Sequence, residues 1–226
     1  MPPTVVVFPA DEWPKRACEL ILAEIRSLSV RRQRPAVMLT GGRSARALYV
    51  TWAESPAFYS TGNVDYYLGD ERCVPADHEE SNSGMVMRDL FGRGMPPGCR
   101  FFPMAVDGDK ESRARDYEKI LPERLDVLLL SVGEDGHVAS LFPGGSALAE
   151  DGRRVVPVSG PKAPHDRLTI TPNVIRNARA VFLLAQGEQK ARLLERVLAG
   201  GEARSLPVSL AMDATWLLDT PIAGRM

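Results

Sequence analysis

Glu134, Asp135 and His137 crowd together in the stretch DVLLLSVGEDGHVASLFPG, with the acidic pair held between Gly133 and Gly136 and the histidine directly after. An imidazole, with an ordinary pKa of about 6.5, suits general-base work at neutral pH. Asp135 is near enough in sequence to orient that ring, although a residue two positions away in a loop can equally point elsewhere. Ser140 follows His137 by three residues, but the chain has no GxSxG elbow, which argues against a serine hydrolase. His137, His78 and nearby acids show no spacing of the HExxH kind, so no metal site is expected.

These groups need a scaffold, and the residues before them supply it. Asp126 to Val132 is a short apolar run bounded by polar turn residues, the pattern of a strand buried on both faces. A buried strand that delivers an acidic pair and a histidine into the loop at its carboxyl end has the layout of an active site in an open α/β sheet. From Val138 the pattern reads as a short helix start, stopped by Pro143 and two glycines.

Two other strand ends carry chemistry. Pro35 to Leu39 reads as a strand, followed by Thr40-Gly41-Gly42-Arg43-Ser44 and a helical stretch from Ala45 to Trp52. Strand, glycine pair and helix start together present backbone N–H groups to a phosphate; a plain tight turn would use the same residues. The turn is neither a Walker loop nor GxGxxG, so nucleotide binding is not indicated. Val64 to Leu68 is a further strand that runs into a charged loop, Gly69-Asp70-Glu71-Arg72. Such charges are either solvated or, at the end of a buried strand, functional. Ser81 and Asn82 are placed to cap a helix from Met85 to Phe91. His78 and His165 lie in polar loops and read as surface residues.

The remaining chain alternates in the same way. Strands are expected at Thr4–Phe8, Arg100–Met104, Arg154–Val158, Leu168–Ile170 and Val181–Ala185. Helices are expected from Asp11 or Glu12 up to the basic run Arg31 to Arg34, over Lys110–Leu125 and over Gly187–Leu198, and Trp216 to Leu218 should close the core. The basic run is read as a solvated helix end rather than an anion site. The alternation predicts one α/β domain over residues 1–226: a doubly wound, mainly parallel, Rossmann-like sheet with helices on both faces.

A formal net charge of −1 gives no reason to expect nucleic acid or an anionic membrane as partner. Three scattered cysteines without a CxxC pair fit reduced thiols better than a disulfide framework or a zinc knuckle. MPPTVVVFPADEW has no charged start and no long apolar core, so it is not expected to be a signal peptide, and no apolar run reaches the roughly 18 residues of a membrane span. A soluble, cytoplasmic protein is expected. From the residues alone, it is a hydrolase or isomerase of a small phosphorylated molecule.

VGEDGHVASLFPG closely resembles the signature loop of 6-phosphogluconolactonases. LTGGRSARALY, YYLGDERCVPADHEESN, RLTITPNVIRNARAVFLLAQGEQKA and PVSLAMDATWLLD resemble further segments of that family in the same order, across nearly the whole chain. The related glucosamine-6-phosphate deaminases share the fold and the DGH core, but they continue with an Ile-Ala-Phe-Asn-Glu-like sequence. This chain has Val138-Ala139-Ser140-Leu141-Phe142, without that acid.

The resemblance implies hydrolysis of 6-phospho-D-glucono-1,5-lactone in the pentose phosphate pathway, with no organic cofactor and a phosphorylated sugar lactone as the partner molecule. It implies His137 as the base that activates water, with Asp135 beside it and Arg72 or loop N–H groups as oxyanion donors. Gly41, Gly42, Arg43 and Ser44 would hold the phosphate with Arg167 and Lys190. Asp70, which matches a base in the deaminases, would position substrate or order its loop. The expected assembly is a monomer or weak homo-oligomer. The turn departs from the usual Gly-Gly-Ser-Thr-Pro of the family at Arg43-Ser44-Ala45, so Arg43 either contacts phosphate or points outward.

Overall fold

The computed structural model describes residues 2–31 and 34–222. Part of the basic run, Arg32 and Gln33, lies outside them. Apolar strand residues build the centre. β1 (Thr4–Val7), β2 (Ala36–Leu39), β3 (Asp65–Leu68), β5 (Arg100–Phe102), β6 (Val127–Ser131), β9 (Ala180–Ala185) and β10 (Thr215–Leu218) form one sheet. Its order is β1-β10-β9-β6-β2-β3-β5, with every neighbouring pair parallel. All four residues of β2 and the first four of β6 are buried, as strands covered on both faces must be. Each such aliphatic side chain contributes about 1.5–3 kcal/mol through removal from water. The helices are α1 (Trp13–Arg31), α2 (Arg43–Trp52), α3 (Pro56–Tyr59), α4 (Asn82–Met85), α5 (Lys110–Ile120), α6 (Pro172–Asn177) and α7 (Glu188–Ala199). This is the mainly parallel, Rossmann-like α/β class that the alternation predicted. No described helix is long and apolar enough to cross a membrane.

The strand order places the switch point between β2 and β6. The chain leaves β2 toward β3 on one side, and leaves β6 toward β9 on the other. In an open α/β sheet the crevice for a ligand lies outside the carboxyl ends of such a pair. Here those ends run into Thr40-Gly41-Gly42 and Val132-Gly133-Glu134.

A second, antiparallel sheet faces that crevice: β4 (Asp70–Arg72), β8 (Asp166–Ile170) and β7 (Val155–Ser159), in the order β4-β8-β7. The expected loop at Asp70–Arg72 is thus a strand. Gly69 is the hinge between the sheets: its N–H donates to Leu39 O at 3.0 Å, and its carbonyl accepts from Ile170 N at 2.9 Å. Other boundaries shift for local reasons. α5 stops at Ile120 because Leu121, preceding Pro122, takes an extended conformation (ψ 134°). The helix expected from Val138 is absent; Val138 instead bridges to Val132 and Leu141, and Ala139 adopts φ 50°. The helix expected from Met85 starts at Asn82 and ends in a π-helical turn, Val86–Leu90. Trp216 is in a sheet strand, fully buried, with its indole N–H on Ala211 O at 2.8 Å.

β4 is anchored by Glu71, a carboxylate only 1% exposed. It accepts from the backbone N–H groups of Arg72 (2.8 Å), Asn82 (2.7 Å) and Ser83 (2.6 Å), and from the Ser81 hydroxyl (3.3 Å). Burial pushes its carboxyl up, and the hydrogen bonds work against that shift. The Glu71→Gln variant sets an amide NH₂ against donors in either orientation. It should lose about 2–4 kcal/mol through unpaired buried N–H groups, a drop of roughly 5–15 °C in Tm for a chain of this size. A thermal melt within 2 °C of wild type would contradict this account.

Candidate functional site

The glycine turn is built first. Gly41 has its α-carbon against the Asn82 amide, where any β-carbon would collide, and Gly42 adopts φ 96° just before α2. The buried Tyr49 hydroxyl pins the turn from below: it accepts from Thr40 N at 2.9 Å and donates to Thr40 O at 2.8 Å. The N-cap Gly42 has no side chain to satisfy the first N–H groups of α2, so that end is left for a ligand or water. Ser131 N donates to Thr40 Oγ1 at 3.3 Å and ties the end of β6 to the end of β2.

Beyond β6 the chain makes a tight loop, closed by Gly133 N to His137 O at 2.9 Å and Gly136 N to Gly133 O at 3.0 Å. The turn brings Asp135 back onto the histidine. Its Oδ1 lies 2.5 Å from His137 Nδ1 and also accepts from the His137 backbone N–H at 3.1 Å. Asp135 therefore points at the imidazole and not elsewhere. The His137 hydrogen bond holds the Asp135 carboxyl below the usual carboxylate range, against partial burial. Phe142 sits with its ring 5.0 Å from the imidazole on one side and 5.5 Å from the Arg167 guanidinium on another.

The second sheet forms the opposite wall. Asp70 is 5% exposed, and its Oδ2 accepts from Ser140 Oγ at 2.7 Å while Oδ1 accepts from Asn82 Nδ2 at 3.3 Å. Arg72 and Arg167 are direct cross-strand partners in β4 and β8. Arg72 pairs with Glu80 at 2.5 Å, and Arg167 donates to the carbonyls of Pro164 (3.0 Å) and Lys162 (3.3 Å). Burial, and then the neighbouring Arg72 charge, pull the Arg167 guanidinium down. Lys190, in the first turn of α7, is likewise pulled down by burial and then by Arg43. Two pairs of like charges therefore face one cleft, an arrangement that an anion relieves.

The cleft has a volume of about 770 Å³. Of the ten residues to which the family resemblance gives a site role, it brings together Gly41, Gly42, Arg43, Asp70, Arg72, Asp135, His137, Arg167 and Lys190. Ser44 is not on the wall; it is 2% exposed inside the first turn of α2. Arg43 points outward, 90% exposed at its side chain, 3.5 Å from Glu134. Neither His78 nor His165 lines the cleft: His78 accepts from Glu80 N at 3.1 Å, and His165 pairs with Gly160 O at 2.8 Å. Asn82 was expected only as a cap. Ser81 is the cap, accepting from Gly84 N at 3.0 Å, while the Asn82 amide reaches Asp70. Phe142 and Ser140 gave no periodic or capping signal of their own; only their place in the loop segment marks them.

A paired histidine at the switch point of a Rossmann-like sheet, faced by two pairs of cations, defines an α/β site for a small anionic molecule. The chain belongs to the family described as glucosamine-6-phosphate isomerases/6-phosphogluconolactonase, whose model matches residues 9–218. The 6-phosphogluconolactonase of Pseudomonas aeruginosa is 36% identical over 214 residues, 91% of this chain and 89% of its own. That of Homo sapiens is 38% identical over 218 residues, 84% of each chain. The solved 6-phosphogluconolactonase from Trypanosoma cruzi superimposes with a TM-score of 0.83 at 27% identity, covering 96% of this chain and 94% of its own.

The Asp135–His137 contact has a direct spectroscopic consequence. The Asp135 carboxyl ¹³C resonance should titrate below the ordinary Asp value of about 3.9 in the wild type and move back toward it in His137→Ala. An unchanged midpoint in the variant would show that the histidine is not the cause of the shift.

Proposed function

We propose that this protein hydrolyses 6-phospho-D-glucono-1,5-lactone to 6-phosphogluconate, a step of the oxidative pentose phosphate pathway, with residues 1–226 acting as one catalytic domain. The observation that carries the mechanism is the Asp135–His137 pair at the mouth of a cationic cleft. Asp135 accepts a hydrogen bond from Nδ1–H of the imidazole, which fixes the tautomer that leaves the Nε2 lone pair free as the base. Nε2 removes a proton from water as the water oxygen bonds to the lactone carbonyl carbon. The resulting oxyanion is stabilised by Arg72 and by N–H groups of the glycine loops. Collapse of the intermediate breaks the bond to the ring oxygen, which takes the proton back from His137, leaving a hydroxyl and a carboxylic acid.

The phosphate of the substrate is held by the Gly41–Gly42 turn with the first N–H groups of α2, including that of Ser44, and by Lys190 and Arg167. The charge logic supports this. Both cations are depressed by burial and by a like-charged neighbour, and a dianion offsets both effects. Arg43 adds long-range attraction at the rim. Phe142 stands where the deaminase pattern carries an acid, and this favours lactone hydrolysis over deamination of an amino-sugar phosphate. The near-neutral formal charge of −1 and the free cysteines support a cytoplasmic enzyme without a nucleic-acid partner.

Lactone generated in situ by glucose-6-phosphate dehydrogenase should be opened by the wild type well above the spontaneous rate, and His137→Ala should lower turnover about a hundredfold or more. A wild type with no such activity overturns the assignment; an active His137→Ala overturns the mechanism. Lys190→Ala and Arg167→Ala should each raise KM for the phosphorylated lactone about tenfold or more, with little change for unphosphorylated gluconolactone. Equal losses on both substrates would count against a phosphate role.

A further inference from the structure

We infer that Ser140 is a positioning residue: with Asn82, it fixes the Asp70 carboxylate as the acceptor for the hydroxyl groups of the sugar ring, and so sets the preference for polyhydroxylated lactones. The inference rests on the lactone reading above and extends it to a determinant of specificity.

Ser140 is 1% exposed and held rigidly. Its backbone N–H donates to Thr169 Oγ1 at 3.1 Å, and Thr169, fully buried, donates in turn to the Ile170 carbonyl at 3.1 Å. The positive φ of Ala139 turns the chain so that the Ser140 hydroxyl meets Asp70 Oδ2 at 2.7 Å. A serine hydroxyl has one proton to give, and this one is given to Asp70. From the other side, the Asn82 amide donates to Asp70 Oδ1 at 3.3 Å and to the Asp70 carbonyl at 2.9 Å.

Each oxygen of the Asp70 carboxylate thus has one protein donor, and Asp70 lines the cleft with the acceptor capacity that remains. An ionised carboxylate only accepts. The phosphate and the lactone carbonyl offer no protons to it, and the phosphate charge repels it; ring hydroxyls are the donors that such a substrate has. Phosphate drawn to Lys190 and Arg167 and hydroxyls drawn to Asp70 would together fix the ring orientation. Because Ser140 and His137 belong to the same loop, closed by the Val132–Val138 and Val138–Leu141 bridges, the sugar acceptor and the base are held in a constant relation.

The test compares 6-phosphogluconolactone with a phosphorylated δ-lactone that lacks ring hydroxyls, in wild type, Ser140→Ala, Ser140→Thr, Asp70→Asn and the Ser140→Ala/Asp70→Asn double variant. The ratio of kcat/KM for the sugar lactone over the hydroxyl-free lactone should fall about tenfold in Ser140→Ala, mainly through KM. It should fall no further in the double variant than in Asp70→Asn. Ser140→Thr, which keeps the hydroxyl, should restore the ratio. A ratio unchanged in Ser140→Ala, or losses that add in the double variant, would overturn the inference while leaving the lactonase reading intact. If Ser140→Ala does not fold, Asp70→Asn decides alone: an unchanged ratio there overturns it. A wild type inactive on both lactones overturns the underlying reading and this inference with it.

Discussion

The site depends on a carboxylate that takes no part in the chemistry. Glu71 is almost completely buried, yet it gathers three backbone N–H groups and a hydroxyl from two separate segments. A buried charge is costly unless its lone pairs are met, so this one is stable only with β4 and the start of α4 locked together. That lock delivers Asn82 against the α-carbon of Gly41 and against Asp70. The wall that faces the histidine loop is therefore assembled by desolvation and hydrogen bonding around Glu71, and Asp70 inherits its position from its neighbour.

The cleft itself follows from topology. Two central parallel strands diverge in their connections, and the loops beyond them cannot close over the sheet. Gly69 then lets the chain leave the main sheet after β3 and start an antiparallel one, with one hydrogen bond in each. The second sheet sets Arg72 opposite Arg167, like charges whose repulsion the Glu80 carboxylate on Arg72 offsets in part. The first sheet, through α2 and α7, sets Arg43 near Lys190. Like charges held on one cleft repel one another, and an anion placed among them lowers that repulsion.

Around His137, the arrangement is economical in sequence. A single loop of the chain supplies the imidazole, its orienting carboxylate, the hydroxyl that holds Asp70, and the Phe142 ring between His137 and Arg167. The strained Ala139 backbone is consistent with such crowding, since a residue at φ 50° persists only where its surroundings require it.

Much of this was legible in the sequence, and for physical reasons. Buried parallel strands need continuous apolar runs, so Ala36–Leu39 and Val127–Ser131 announced themselves, and with them the strand-end positions of the glycine turn and His137. Glycine pairs and a histidine beside acids are rare enough in such places to mark a site. Asp70 and Arg72 were marked by their place at the end of a buried strand, whereas Arg167 and Lys190, which share the cleft with them, were named only through family resemblance. Local pattern could not separate Asp70 from Glu71: adjacent residues in one short strand, one facing the cleft and the other the protein interior. Nor could it show that Asn82 reaches a carboxylate instead of capping a helix, that Val138 begins a pair of bridges and not a helix, or that the chain after β3 founds a second sheet. Those outcomes depend on partners far away in the chain. Sequence alone determined the periodicity, the turn chemistry and the inventory of reactive groups, because each is carried by neighbouring residues; the tertiary structure decided which of those groups meet, because burial and hydrogen-bond satisfaction are settled only when distant segments pack.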